Sequence, residues 1–426
     1  RDPLIRFARS APLALLALLL AAPPPAAEVK PGEVITSASA DRVAELVSPG
    51  VLWLVRNGMT MEIVPHRETE DPPAFRAATE KYSAQVRLRP DGVLNESTYV
   101  AGKPFPDVDP DDPQAALKIM YNFERSRYAT DDLTARFLDA ETGEIGRGKD
   151  GATFRVERHF VIDALRLLKY VGRTETPPVP ALPNPERFLV KVGQYPILEP
   201  FDLKGIGGLV YRYVDDTKPE VTWMYMPSLR RVKRISTAHR SDALYGQDVD
   251  IDSYGGFAGH VRNFEWKLLG VKPMLASGHG ENLPPKVCEG DGGLTFCETW
   301  EILPQVFIIE GEPKAAAYAY SKRVLFLEGR TSYIAYTDLY DQAGELWKVG
   351  VNYGRYARKP NPRAAYEYPF PRGYHHGFVM VDIQLSHGTR AALPGIGFPE
   401  EPGWYINTGD TSEEWFDIAS LIKGGR

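Results

Sequence analysis

The sequence predicts a mainly β protein built on a large antiparallel sheet or barrel. Between residues 188 and 353, short apolar and aromatic segments follow one another with turn signals between them. No helical pattern alternates with these segments, which argues against an α/β fold. Aromatic residues run through the whole stretch: Trp223, Tyr225, Phe264, Trp266, Tyr318, Tyr320, Tyr333, Tyr336 and Trp347.

From the start, Arg1, Arg6 and Arg9 precede an unbroken apolar run at 12–22, and a Pro/Ala stretch at 23–27 leads into polar sequence at Glu28. A charged start, a short apolar centre and small residues at the exit mark a cleaved secretory signal over 1–27. The run is too short for a bilayer, which takes about 20 residues; an uncut N-terminal anchor is the alternative. No Cys stands at the exit to receive a lipid. The mature protein is therefore expected to begin between about residues 23 and 28 and to work in the periplasm.

Ser39 is positioned to cap a short helix over 41–46, which should break at Ser48-Pro49-Gly50. The apolar run 51–55 follows, and 59–64 (MTMEIV) alternates as a strand does. A firmer helix begins at Asp112-Pro113, with Ala116, Met120 and Phe123 along its apolar stripe and Leu117 and Ile119 beside them. The stripe reads as core packing. The Pro-rich stretch 174–187 reads as a linker or surface loop.

Strands are expected at 209–214, 221–226, 262–269, 299–309, 316–327, 331–339 and 345–352. After Tyr353 the chain looks irregular, so 361–426 reads as a Pro/Gly-rich extension ending in a short helix near 412–422. The main β domain then covers 28–360.

Cys288 and Cys297 flank an Asp291-Gly292-Gly293 tip in VCEGDGGLTFCE. Gly supplies the positive φ such a hairpin tip needs, and in an oxidising compartment two flanking thiols should be bridged. Loop-closure entropy makes the bridge worth roughly 2–3 kcal/mol. Zinc or redox chemistry would call for a CxxC-like spacing, which the chain lacks.

With 426 residues, 43% of them hydrophobic and 25% charged, the chain is long and apolar enough for a sizeable core. Its formal charge is −6. The leader carries three Arg and one Asp, so its removal takes the charge to −8. Such a chain is a poor wrapper of nucleic acid, which demands a basic face.

The order of several motifs resembles a bacterial family, domain of unknown function 1329. VTWMYMPSLRRVKRI (221–235), QDVDIDSYGGFAGH (247–260) and RNFEWKLLGVKP (262–273) carry the family's pattern. That pattern is an aromatic strand ending in Pro, a basic cluster, an Asp-containing loop before Gly-Phe, and an aromatic strand ending in Gly-Lys. GMTMEIVPHR (58–67), GVLNESTYVAGKPFP (92–106) and AYSKRVLFLEGRTSYIAYTDLYDQAGELWKV (319–349) extend it over most of the chain. Val271 stands inside the expected Gly-Lys, and 130–185 fits loosely. The resemblance implies a fold like that of the lipoprotein-sorting proteins LolA and LolB, half-open antiparallel barrels around an apolar cavity with helices inside or as a lid. It also implies association with efflux-type inner-membrane transporters that move hydrophobic compounds or lipids.

On that basis Trp223, Tyr225, Phe264 and Trp266 are the candidate ligand-binding residues, ordinary core packing being the competing role. Trp223 and Tyr225 share one strand face, Met224 and Met226 the other. Arg230, Arg231, Lys233 and Arg234 could dock an acidic partner or a lipid headgroup, or simply be solvated. Asp248, Asp250 and Asp252 alternate, but the Glu that closes a calcium loop is missing. No HExxH, no G-x-S-x-G elbow and no helix after Gly205-Ile206-Gly207-Gly208 support catalysis. No catalytic residue, metal or cofactor is assigned. The sequence thus points to a periplasmic carrier of a hydrophobic ligand or lipid, against an enzyme on an envelope lipid or glycan, or a ligand-free structural protein.

Overall fold

Most of the regular structure among the described residues is strand. The computed structural model describes residues 29–127, 130–149, 151–236, 240–395, 397–398 and 400–425; the leader lies outside them. Strand β1 (Val34–Ile35) pairs with β2 (Met61–Ile63), and a 3-10 helix (Ser37–Val43) and helix α1 (Pro49–Arg56) lie between them. The expected helix over 41–46 is thus a 3-10 turn starting at Ser37. Ser48-Pro49-Gly50 starts a helix where a break was expected. The Ser48 hydroxyl accepts from Val51 N at 3.1 Å, and Pro at the first helical position costs no hydrogen bond.

Helix α2 (Pro73–Tyr82), not foreseen from sequence, and α3 (Ala115–Ser126), at the expected place, come next. The other strands are β3 (Asp132–Gly148), β4 (Gly151–Lys169), β5 (Phe188–Gln194), β6 (Ile197–Glu199), β7 (Gly207–Tyr213), β8 (Val221–Met226) and β9 (Arg231–Ile235). They continue with β10 (Phe264–Ala276), β11 (Thr299–Pro313), β12 (Lys322–Glu328), β13 (Ile334–Tyr340), β14 (Leu346–Ala357), β15 (Arg372–Asp382), β16 (His387–Ala392) and β17 (Trp404–Ile406). Helix α4 (Ile418–Gly424) follows.

Antiparallel pairs link β10–β11–β12–β13–β14–β15–β16. β16 then pairs with β3, and the ladder continues β3–β4–β5–β7–β8–β9. β17 lies along β3 and β6 along β4, while β2 joins β11 in parallel. The chain after 361 is therefore not an irregular extension: β15 and β16 bridge the two halves of the sheet. Gly373, Gly377 and the paired His375-His376 interrupt the apolar run that would have announced β15.

The β10–β15 half is covered on both faces. Val51, Leu54 and Val55 of α1 pack with Val324, Phe326, Val349 and Val351. Ile119, Met120 and Phe123 of α3 pack with Phe307, Ile309, Leu325 and Leu327. Successive β12 residues thus bury on opposite sides, which explains its continuous apolar run VLFL. The disulfide closes the 288–297 loop, with Cα atoms 4.9 Å apart. Asp291 accepts from Gly293 N, Leu294 N and Thr295 N at 3.0–3.1 Å, and Gly292 and Gly293 have φ +71° and +92°.

Candidate functional site

The β3–β9 half is built differently: one of its faces encloses a cavity of about 260 Å³. The β4–β8 wall is apolar, with Phe160, Ile162, Leu165 and Leu167 from β4, Val190 and Val192 from β5, Val210 from β7, and Thr222 and Met224 from β8. Phe123 of α3 and Leu244, Tyr245, Tyr254 and Phe257 of the 240–261 segment close it.

Strict alternation would not put this β4 set on one side. Residues 160 and 162 share a parity that 165 and 167 do not. β3 changes parity at the paired position: Leu133 and Ala135 join the same apolar cluster as Leu138 and Ala140. Phe137 lies between them with φ +53°, next to the Arg136–Ala164 and Leu138–Ile162 pairs. This local irregularity turns both strands, so apolar side chains on either side of it face the same interior.

The polar groups gather toward one part of the wall. Arg212 Nη2 donates to Glu220 Oε2 at 3.0 Å and to Ala258 O at 2.7 Å. Arg240 donates to Asp252 at 2.5 Å and pairs with Glu220. His260 Nε2 lies 3.2 Å from Glu220. Burial, with Arg212 beside it, holds the His260 pKa down to about 3, so its ring is neutral at physiological pH. These charges neutralise one another and leave the cavity surface largely apolar.

A second cavity of about 110 Å³ shares Phe123 and Arg127 with the first. His279 and Glu301 line it. Glu301 accepts from His279 Nδ1 at 2.5 Å, His66 Nδ1 at 2.9 Å and Arg67 N at 2.8 Å. Burial pushes its carboxyl up, but these donors bring it below its ordinary pKa. Two imidazoles on a buried carboxylate, brought together from residues 66, 279 and 301, have no short-range signature in the sequence. The acid is fully committed to its donors, and neither Ser nor Cys hydrogen-bonds either ring among the described residues.

The four expected ligand-binding residues do not line the β4–β8 cavity. Trp223 and Tyr225 stand on the opposite face of β8, packed with Leu209, Phe416 and Leu421. It is Thr222 and Met224 that face the cavity, and Tyr245 Oη donates to Met224 Sδ at 3.6 Å. Phe264 and Trp266 belong to the core beneath α3. They stack edge-on against Phe257 at 5.3 and 5.2 Å, and Trp266 Nε1 donates to Val261 O at 2.7 Å. The reason is local: the C-terminal segment covers the outer face of β8, and nothing within β8 announces which face it covers.

The basic residues follow the β8–β9 turn, where Arg230 has φ +49°. Arg231, Lys233 and Arg234 are exposed, but they do not share one face. Arg231 pairs across from Met226 and Lys233 from Met224, whereas Arg234 pairs with Trp223. The three aspartates also separate. Asp248 meets His387 at 2.8 Å, Asp250 accepts from Tyr320 Oη at 2.7 Å, and Asp252 pairs with Arg240. Among the described residues no His, Cys, Asp and Glu cluster could hold a metal, and no helix is long and apolar enough to cross a membrane.

Residues 34–404 match the model of a family described as protein of unknown function (DUF1329). A solved DUF1329 family protein from Desulfovibrio piger is 14% identical, aligned over 74% of this chain and 100% of that one with a TM-score of 0.46. A LolA superfamily protein from Nitrosomonas europaea is 13% identical over 72% of this chain and 98% of that one, at a TM-score of 0.38. No curated protein matches.

Proposed function

The chain belongs to the DUF1329 family, and from that premise we propose that it is a carrier or binding protein for a hydrophobic ligand, held in the β4–β8 cavity. One observation carries this: the inward faces of β4, β5, β7 and β8 present apolar side chains to a cavity of about 260 Å³ rather than to a packed layer. Protein interiors are ordinarily close-packed, and an apolar void with few polar groups has the chemistry of a ligand site. Each ligand CH₂ transferred there from water contributes about 0.8 kcal/mol.

The compartment we infer is the periplasm. The 1–27 leader and the Cys288–Cys297 bridge both fit an oxidising space outside the cytoplasm. An efflux-type transporter as partner belongs to the same reading, with the exposed Arg230, Arg231, Lys233 and Arg234 as its docking element.

The test is displacement of an uncharged fluorescent naphthylamine probe from delipidated protein by natural apolar compounds. Saturable binding that such compounds reverse is the expected result. A protein that binds neither the probe nor any lipid extracted from its own cell envelope would end the proposal.

A further inference from the structure

The inward row of β4 runs Leu165, Leu167 and then Lys169. A lysine in the wall of a largely apolar cavity, near Glu124, Arg125 and Arg127, needs an explanation. Its Nζ donates to Arg125 O at 3.1 Å, a neutral acceptor, and among the described residues no carboxylate lies within ion-pairing distance of it. Asp131 and Asp71 act on it from further away, and Asp71 is already paired with Lys103 at 3.0 Å. Asp131 spends its oxygens on the backbone N–H groups of Thr174, Glu175 and Thr176 at 2.7–2.8 Å.

The other charges around the amine do not offset it. Arg125, Arg127 and Arg173 are its further charged neighbours. Arg125 is paired with Glu96 and Glu124. Arg173 donates only to carbonyls, those of Asp131, Lys169, Thr176 and Pro178. Burial accordingly pulls the Lys169 pKa down to about 8, a value at which it still carries its proton near neutrality. A buried ammonium without a counter-ion is costly, and a bound anion would relieve that cost.

We propose that the ligand is an amphiphile with an anionic headgroup, which seats on the Lys169 ammonium while its apolar chain lies along Leu165, Leu167, Val190 and Val192. This rests on the carrier reading and specifies its ligand class. A fatty-acid carboxylate and a lipid phosphate monoester share the chemistry that Lys169 recognises.

The test uses the uncharged probe and four competitors: laurate, dodecyl phosphate, methyl laurate and acetate. Laurate or dodecyl phosphate should displace the probe at concentrations about ten-fold below those of methyl laurate, the factor one charge-assisted hydrogen bond supplies. Acetate, without a chain, should not compete. Lys169→Met should bring the anionic competitors to the level of the ester without weakening the ester, and Lys169→Arg should keep the preference. Equal displacement by laurate, dodecyl phosphate and methyl laurate overturns the inference but leaves the carrier reading intact, as does failure of all three while natural apolar compounds still displace the probe; only a protein that binds neither the probe nor any envelope lipid defeats the carrier reading itself. Competition by acetate at laurate-like concentrations would make Lys169 a site for free anions and also overturn the inference. The wild-type comparison of acid with ester decides the matter even if the Met variant does not fold.

Discussion

Asp338, in the middle of β13, accepts hydrogen bonds from Ser48 Oγ at 2.8 Å and from Gly50 N at 3.0 Å, and so fastens the first turn of α1 to the sheet. A carboxyl group at a helix N-terminus meets the N–H groups that have no partner within the helix. The approach is close enough to exclude a side chain. A Cβ on Gly50 would collide with Asp338 Oδ1 and stand 2.6 Å from Val349 Cβ. Gly50→Ala should therefore destabilise the protein by about 1–3 kcal/mol, although alanine is the better helix former. Denaturant melts would show a lower midpoint; an unchanged or raised midpoint would mean that α1 does not dock this tightly.

The same carboxyl should make stability depend on pH. Burial pushes the Asp338 pKa from 3.8 up to about 7, and its two donors only partly oppose this. Between these values the folded protein keeps a proton that the unfolded chain has released. Stability from this group is thus complete below about pH 4 and lost as pH rises to about 7. Asp338→Asn cannot ionise. Its unfolding free energy relative to wild type should shift in its favour by about 2–4 kcal/mol between pH 4.5 and 8. A difference that stays flat with pH would refute the buried, proton-holding carboxyl.

The bridge between Cys288 and Cys297 closes a loop whose turn is already held by Asp291. Replacing both Cys by Ser should cost roughly 2–3 kcal/mol without altering ligand binding, since neither Cys lines the cavity. The unreduced wild-type protein should weigh two hydrogens less than its reduced form. Native thiols that alkylate fully would contradict the bridge.

Legibility in the sequence followed the regularity of burial. β8 stands where its alternating sequence put it, and the helix expected after Asp112-Pro113 is α3. β3 and β4 were not legible, although they form the longest hairpin. Their apolar parity reverses around Phe137, and residues such as Asp139 and Glu141 are held by His159 and Arg390 rather than by solvent. No fixed period survives that combination. The cavity residues were missed for a related reason. Large aromatics drew the reading toward Trp223 and Tyr225, while the wall is made of Val, Leu, Ile and Met, which look the same in a sequence whether they face a packed core or an empty one. Nothing in the sequence singled out Lys169, because the inward row of β4 that carries it was itself not legible.

Opposite faces of the β7–β8 hairpin should therefore respond in opposite ways to mutation. Val210 faces the cavity and Trp223 faces the C-terminal segment. Val210→Trp adds bulk to open space rather than to a packed layer, so the fold should tolerate it while the cavity loses room for a ligand. Probe affinity should fall at least ~10-fold, equivalent to about 1.4 kcal/mol, with little change in the unfolding midpoint. Trp223→Ala removes packing against the outer cluster around Tyr225, Phe416 and Leu421. Trp223 is only half-buried, so its loss should cost about 1–3 kcal/mol, less than a full core truncation. Probe affinity should stay close to wild type. The two variants separate a ligand site from a core in one experiment, because each supplies the control for the other. If Trp223→Ala abolishes binding in a folded protein and Val210→Trp leaves it intact, the ligand lies on the outer face of β8 and the cavity assignment fails.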